Sequence, residues 1–327
     1  MIDIVERYTD AALGGDRSYA AELAATVLRD LGEPEAVIRS LLMPSQVEVG
    51  QRWQERMCGV GHEHAATFIT ESVLASLSVG MEPPASRGSI VMVCADGEWH
   101  SLPARMATEL LMLQGWKVTF LGPATPAEHL RSYLADINAD AVGVSCTVAS
   151  NLPGAARAVR VARHLGYTVL AGGSGFGSNS LRAKAVGADG WVRNIDDDFD
   201  IDRYVWQRVP EPDPDGDWAR IEHDRLDLVR QAVRWISVHH PSVVANPGSW
   251  LEHVINDLDE MLRFAAAAEL CHDPSILAAY RHWLTSAVVA SGLPEATVQV
   301  GFDAVSAVLE PVAPRVASMM VGSSRRN

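Results

Sequence analysis

With 327 residues, 27 basic and 41 acidic side chains and a net charge of −14, the chain is too negative to hold a nucleic-acid backbone by itself. A content of 48% hydrophobic and 21% charged residues supports a sizeable core, excludes gross disorder, and includes no run near the roughly 18 apolar residues of a membrane span. At about 150 residues per domain, the length suggests two domains or three small ones.

Residues 1–82 read as helical throughout. Ala21, Leu23, Ala24, Val27 and Leu28 keep a helical apolar spacing that Gly32 and Pro34 interrupt. Val37, Ile38, Leu41 and Leu42 restart the stripe, and another runs through Phe68, Val73 and Leu77, so a four-helix bundle is expected. The segment MEPPASRG (81–88) follows as a linker. Ile90–Val93, Val118–Leu121, Ala141–Val144 and Val169–Ala171 are then short apolar runs, each suited to a strand buried on both faces. Helical segments near 104–114, 126–136 and 153–165 alternate with them. The alternation predicts a doubly wound parallel sheet over 88–209. After the acidic, proline-rich PEPDPDGD (210–217), residues 218–321 are helical again, as Val254, Ile255, Leu258, Leu262 and Ala265 show by their spacing. The fold class is thus multidomain, all-α and α/β.

The four cysteines, Cys58, Cys94, Cys146 and Cys271, lie far apart with no CxxC pair. They read as reduced thiols of a cytoplasmic protein. The start, MIDIVERYTD, has no basic segment leading into an apolar one, so no secretory signal is expected. No Ser-His-Asp order, HExxH motif or paired carboxylates emerge, and the chain is not expected to be an enzyme.

Chemistry concentrates after the first strand, in Ala95-Asp96-Gly97-Glu98-Trp99-His100-Ser101-Leu102-Pro103. Ligands of doubly wound sheets bind beyond the carboxyl ends of the strands, where this loop lies. It is neither GxGxxG nor GxxxxGK[ST], which argues against a nucleotide. Alone, Glu98-x-His100 suits either a metal ligand with a carboxylate behind it or an ordinary loop histidine. Two later strands end in Val144-Ser145-Cys146-Thr147 and in Gly172-Gly173, whose small side chains leave a slot.

Together these residues resemble the cobalamin-binding fold of methionine synthase and methylmalonyl-CoA mutase, with its pattern [DE]xHxxG…SxL/SxT…GG. The resemblance implies that His100 is the lower axial ligand of cobalt, with Glu98 and Ser145 as its hydrogen-bonded support. It further implies that Trp99, Ser101 and Leu102 lie beside the corrin and that Thr147, Gly172 and Gly173 line a channel for the nucleotide tail. Pro103 stands where the family has Gly. In the bundle, Val49-Gly50-Gln51-Arg52-Trp53 followed by Val60-Gly61-His62-Glu63-His64 looks like the cap of the CarH-type cobalamin photoreceptors. By that likeness Trp53, Val60, Glu63 and His64 cover the upper face and enclose the adenosyl group of adenosylcobalamin. Those receptors have a second His directly after the Trp, and Gln54 replaces it here.

The order cap, cobalamin fold, degenerate globin-like helical domain resembles the photocobilins, which carry a cobalamin and a bilin (biliverdin). The family implies a light sensor with two chromophores. Arg234, His239, Arg263, Tyr280, His282 and Trp283 are the bilin candidates, with Trp235, Trp250 and Phe264 as walls, Arg281, His240 and His253 as further polar groups, and Cys271 as a possible covalent anchor. Two other functions compete: a corrinoid carrier of a methyltransferase system, and a scaffold that retains no cobalamin. A sensor without an output domain is expected to act as a homodimer on a downstream signalling protein.

Overall fold

The computed structural model describes residues 2–77, 85–206, 209–241 and 250–322, apart from the side chains of 2, 250–253 and 322. The N-terminal bundle starts with α1 (Ile2–Leu13) and α2 (Arg17–Leu31). Asp16 caps α2 by accepting the Tyr19 N–H at 3.0 Å, and Gly32, at φ 79°, closes it in the left-handed region. Pro34 then opens α3 (Pro34–Val37), which passes through a π-turn at Ile38–Leu42 into α4 (Met43–Gln54). The last rod is α5 (Val60–Leu77). Its buried stripe is Ala66, Ile69, Thr70, Val73, Leu74 and Leu77. Phe68, expected on that stripe, points outward at 60% exposure, because five residues before Val73 is about 140° around the helix.

The sheet domain comprises β1 (Gly88–Cys94), α6 (Leu102–Leu113), β2 (Trp116–Phe120), α7 (Ala127–Ala135), β3 (Ala141–Ser145), α8 (Leu152–His164) and β4 (Thr168–Gly172). It finishes with α9 (Leu181–Ala185), β5 (Gly190–Val192) and α10 (Ile201–Tyr204). All strand pairs are parallel, in the order β2-β1-β3-β4-β5. The order reverses between β1 and β3, and a crevice opens beyond their carboxyl ends. The fifth strand, Gly-Trp-Val, carries too short an apolar run to be read from sequence. Pro103 sits in the first turn of α6, where its missing N–H costs nothing, and the helix forms as expected.

The C-terminal region is helical: α11 (Asp217–His239), α12 (Trp250–Cys271), α13 (Ser275–Ala290), α14 (Ala296–Leu309) and α15 (Pro314–Gly322). Strand side chains alternate between faces, and this divides the core in two. Ile90, Met92, Cys94 and Leu170 join α6 and the N-terminal bundle, whereas Val91, Val93, Val142, Val144 and Val169 join α8 and the C-terminal helices. The sheet is the shared middle layer. The 210–217 segment is tied down at both ends, by Arg163 donating to the Val209 carbonyl at 3.1 Å and by Trp218 Nε1 donating to the Asp213 carbonyl at 2.9 Å.

Candidate cofactor site

A cavity of about 1300 Å³ lies between the bundle and the carboxyl edge of the sheet. From the bundle, Met43, Val47, Gly50 and Trp53 line it at helical spacing on α4, and Val60, Glu63, His64 and Thr67 do so on α5. From the sheet side come Trp99, His100, Ser101, Leu102, Ser145, Thr147, Gly172 and Gly173. Every residue expected at the cobalamin site therefore lines one space, except Glu98, which is fully buried behind His100.

Glu98 is the hub. Its Oε1 accepts the His100 Nδ1–H at 2.6 Å and the His100 backbone N–H at 2.9 Å. Its Oε2 accepts the backbone N–H groups of Thr147 and Val148 at 2.8 and 2.9 Å, and Asn151 Nδ2 at 3.1 Å. Burial penalises this carboxylate, but hydrogen bonds from His100 and Val148 outweigh the penalty and hold its pKa below the usual range. The Glu98 bond raises the His100 pKa against the opposing pull of desolvation, and the charge of Glu63 adds to the rise. An ionised Glu98 keeps the proton on Nδ1 and leaves Nε2 as the nitrogen with a free lone pair, on a half-exposed ring (56%) that lines the cavity. The expected support from Ser145 is corrected: Ser145 lines the cavity, and Asn151 with two backbone amides takes the role on Glu98. The turn after β3 supplies those amides, and no side-chain pattern announces them.

Two glycines hold this arrangement. Gly173 sits at φ 101°, and a Cβ there would lie 2.4 Å from the Cys146 carbonyl oxygen. A Cβ on Gly154, in the first turn of α8, would lie 2.1 Å from the Asp96 carbonyl oxygen, so α8 presses on the loop that carries Glu98 and His100.

The cavity suits a large, mostly apolar ligand with its own metal. Its volume exceeds the usual range for drug-sized ligands, about 300–1,000 Å³. Trp99 is 74% exposed at its rim, a large apolar surface without a protein partner. Thr147 and Trp191 are among its lining residues, and their Oγ1 and Nε1 are buried with no hydrogen-bond partner. Among the described residues no group of three His, Cys, Asp or Glu could hold a metal ion. A single imidazole facing a large apolar space suits a metal carried by a macrocycle. The residues present fit a corrin, with His100 as the group that would hold its cobalt.

The bilin candidates do not converge on a cavity. Arg234 and His282 are exposed, and His239 stacks on Trp235 and hydrogen-bonds the Trp235 carbonyl. Arg263 pairs with Asp259 at 3.1 Å, and Tyr280 is buried against Phe264. Arg281 donates to Gln299 and the Met320 carbonyl, and His240 lies tilted against Trp235. Burial pushes the Cys271 thiol up to about 12, a poor nucleophile. Trp283 instead stacks on Trp53 at the cobalamin cavity. The side chains of Trp250 and His253 lie outside the described residues. One cavity within these helices, near Ile236, Val254 and Met261, measures about 40 Å³, room for water rather than a tetrapyrrole.

The Glu98–His100 pair sets a pH window for the cofactor-free protein. The Glu98 contribution is complete above its unfolded pKa of about 4.3 and is lost as pH falls through its lowered folded value. That of His100 is complete below about 6.5 and is lost as pH rises through its raised folded value. Urea unfolding of the cofactor-free chain should thus show maximal stability between those limits, and Glu98→Gln should flatten both flanks. Identical profiles for variant and wild type would refute the coupling.

Two family models, each described as a B12 binding domain, match residues 4–78 and 88–199. A corrinoid protein of Desulfitobacterium hafniense is 24% identical over 213 residues, 62% of this chain and 96% of that protein. The HTH-type transcriptional repressor CarH of Myxococcus xanthus is 28% identical over 148 residues, 44% of this chain and 49% of CarH, so the match spans about half of that relative. The monomethylamine corrinoid protein of Methanosarcina barkeri shares the fold, with a TM-score of 0.51 at 16% identity over 59% of this chain and 93% of that one. Neither family model extends beyond residue 199, which leaves the C-terminal helices unmatched.

Proposed function

We propose that this chain, built on two B12-binding domains, is a cobalamin-dependent light sensor that holds adenosylcobalamin between its helical cap and the sheet edge. The observation that carries the reading is one cavity with a Glu98-oriented imidazole on the sheet side and Trp53 on the cap side. Bound there, adenosylcobalamin supplies a cobalt–carbon bond that light breaks. The protein's part follows from its residues. His100 Nε2 holds the metal from below, and Glu98 fixes the tautomer that makes this possible. Trp53 and Val60 exclude water above, while Glu63 and His64 offer polar groups to the ribose or the corrin amides. Trp53 would pack on the upper group of the cofactor, so that this contact would favour one docking of cap on sheet and its absence another. With Gln54 after the Trp, His64 is the cap histidine that would be offered to the cofactor, since it lines the cavity, whereas the His62 ring is engaged by the Gly59 N–H.

The carrier reading shares the His100 floor and is favoured by the corrinoid relative that aligns over 96% of its length. A carrier, however, has to present its upper face to partner enzymes. Here the C-terminal helices back the Trp that covers this face, which supports the sensor. Its output is a change of cap packing, passed to a second copy of the chain or to a signalling partner. The bilin rests on the resemblance alone, and no observation in the C-terminal helices supports it.

Absorbance of the reconstituted protein before and after illumination tests the proposal. Light should change the wild-type spectrum. Trp53→Ala should weaken retention of adenosylcobalamin about fivefold more than that of hydroxocobalamin, the scale of one aromatic contact. A spectrum indifferent to light, with equal weakening of both forms, would favour the carrier. The same spectra taken with biliverdin read the second chromophore: a red absorbance would support the bilin, and its absence from the full chain would remove it.

A further inference from the structure

The cap pivots between α4 and α5, with Trp53 before the turn and Val60, Glu63 and His64 after it. Arg56, within the turn, has φ 58°, a left-handed conformation that costs a residue bearing a Cβ. The carboxyl half of α13 lies against this turn. The Trp53 indole stacks on Trp283 with ring centroids 5.9 Å apart and planes inclined by 19°. Arg56 Nη1 donates to the Ala287 carbonyl at 2.9 Å and also bonds Ser291 Oγ. These groups belong to the last turn and cap of α13, so the guanidinium also meets the negative end of that helix dipole. Trp283 is itself anchored. Its ring packs on Tyr280 at 5.9 Å, and Tyr280, only 4% exposed, stacks on Phe264 of α12 at 4.0 Å.

We propose that the C-terminal helices are a latch on the cap, with Trp283 as a positioning residue that holds Trp53 over the upper face of the cofactor. The proposal rests on the cobalamin reading above and assigns the C-terminal helices a role in it. A group on the upper face and the latch both favour the same placement of Trp53, so the two are thermodynamically linked. Docking at α13 tightens the hold on the upper group, and that group tightens docking by the same factor. Loss of the upper group leaves the latch as the main restraint on Trp53. The C-terminal helices are thereby the element that senses the state of the cavity, although none of their described residues lines its wall.

The test uses the full chain with Trp283→Ala, Trp283→Phe and Arg56→Gly, the last tolerating the left-handed turn while removing the clasp. Dissociation of adenosylcobalamin and of hydroxocobalamin is timed in the dark against a trapping protein. Trp283→Ala should speed loss of the adenosyl form roughly three- to tenfold, the range of a single aromatic pair, and that of hydroxocobalamin less than about twofold. Trp283→Phe should restore most of the difference, and Arg56→Gly should shift the ratio in the same direction as Trp283→Ala. Equal acceleration of both cobalamins, the sign of general loosening, or unchanged rates in both Trp283→Ala and Arg56→Gly overturn the latch. A wild-type chain that retains neither cobalamin overturns the cofactor reading itself, so the two failures are distinct.

Discussion

Reconstituted with adenosylcobalamin, the chain carrying His100→Ala should lose the base-off, His-on absorbance expected of the wild type. Its hold on the cofactor should weaken by about 100-fold or more. The size follows from the site. His100 lines the cavity from the sheet loop with its Nδ1 fixed by Glu98, which leaves Nε2 free of that bond. Outer-shell partners of a metal ligand are worth about 10–100-fold, so Glu98→Gln should fall in that range and the ligand itself above it. Glu98→Gln also leaves the Thr147 and Val148 amides facing a weaker acceptor, and its effect should exceed that of Ser145→Ala, since Ser145 is not among the donors to Glu98. An unchanged spectrum in His100→Ala rejects the ligand assignment, and with it the proposed function.

The second large effect falls on stability, at a residue with no polar atom to offer. Gly154→Ala places a Cβ 2.1 Å from the Asp96 carbonyl oxygen. The atom in the way is backbone, held in a loop where Glu98 makes five hydrogen bonds. Neither partner yields cheaply, and the substitution should destabilise by about 3 kcal/mol, the upper part of the usual overpacking range. Because the displaced loop carries His100, cobalamin retention should fall as well. Gly61→Ala is the matched control. It lies in the first turn of α5 with no atom within 4 Å of its Cβ, and Ala there should be neutral or stabilising by up to about 1 kcal/mol. Denaturation midpoints read both, and a Gly154→Ala midpoint equal to wild type would show that α8 and the loop separate freely.

The cobalamin pattern was legible because its parts are local. Glu98 and His100 are two residues apart on one loop, and a strand before it with a helix after it fixes where that loop lies. Likewise, Trp53 and Glu63-His64 fall on the ends of two successive helices that can only fold back on each other. What supports them was not legible. Asn151 and the amides of Thr147 and Val148 reach Glu98 from across β1 and β3, and backbone donors leave no trace in residue type. Ser145 occupies the position the family pattern marks, yet the chain satisfies the carboxylate with other donors. Trp283 follows the same logic: an aromatic residue on an amphipathic helix shows that it will be covered, but not by what, and here the cover is Trp53 rather than a bilin-lined wall.

By itself the sequence determined the helical bundle, the parallel sheet and the place of the Glu98–His100 loop at its carboxyl edge, because each is written in short-range periodicity and spacing, whereas the role of that loop came from the family resemblance. Only the tertiary structure decided that the two faces of the sheet belong to different cores, that the cap and the sheet loop share one cavity, and that α13 backs Trp53. Those choices depend on which apolar surfaces meet after the chain has returned from far away. Burial rewards any good fit equally, so the partner is selected by shape in three dimensions rather than by a pattern along the chain.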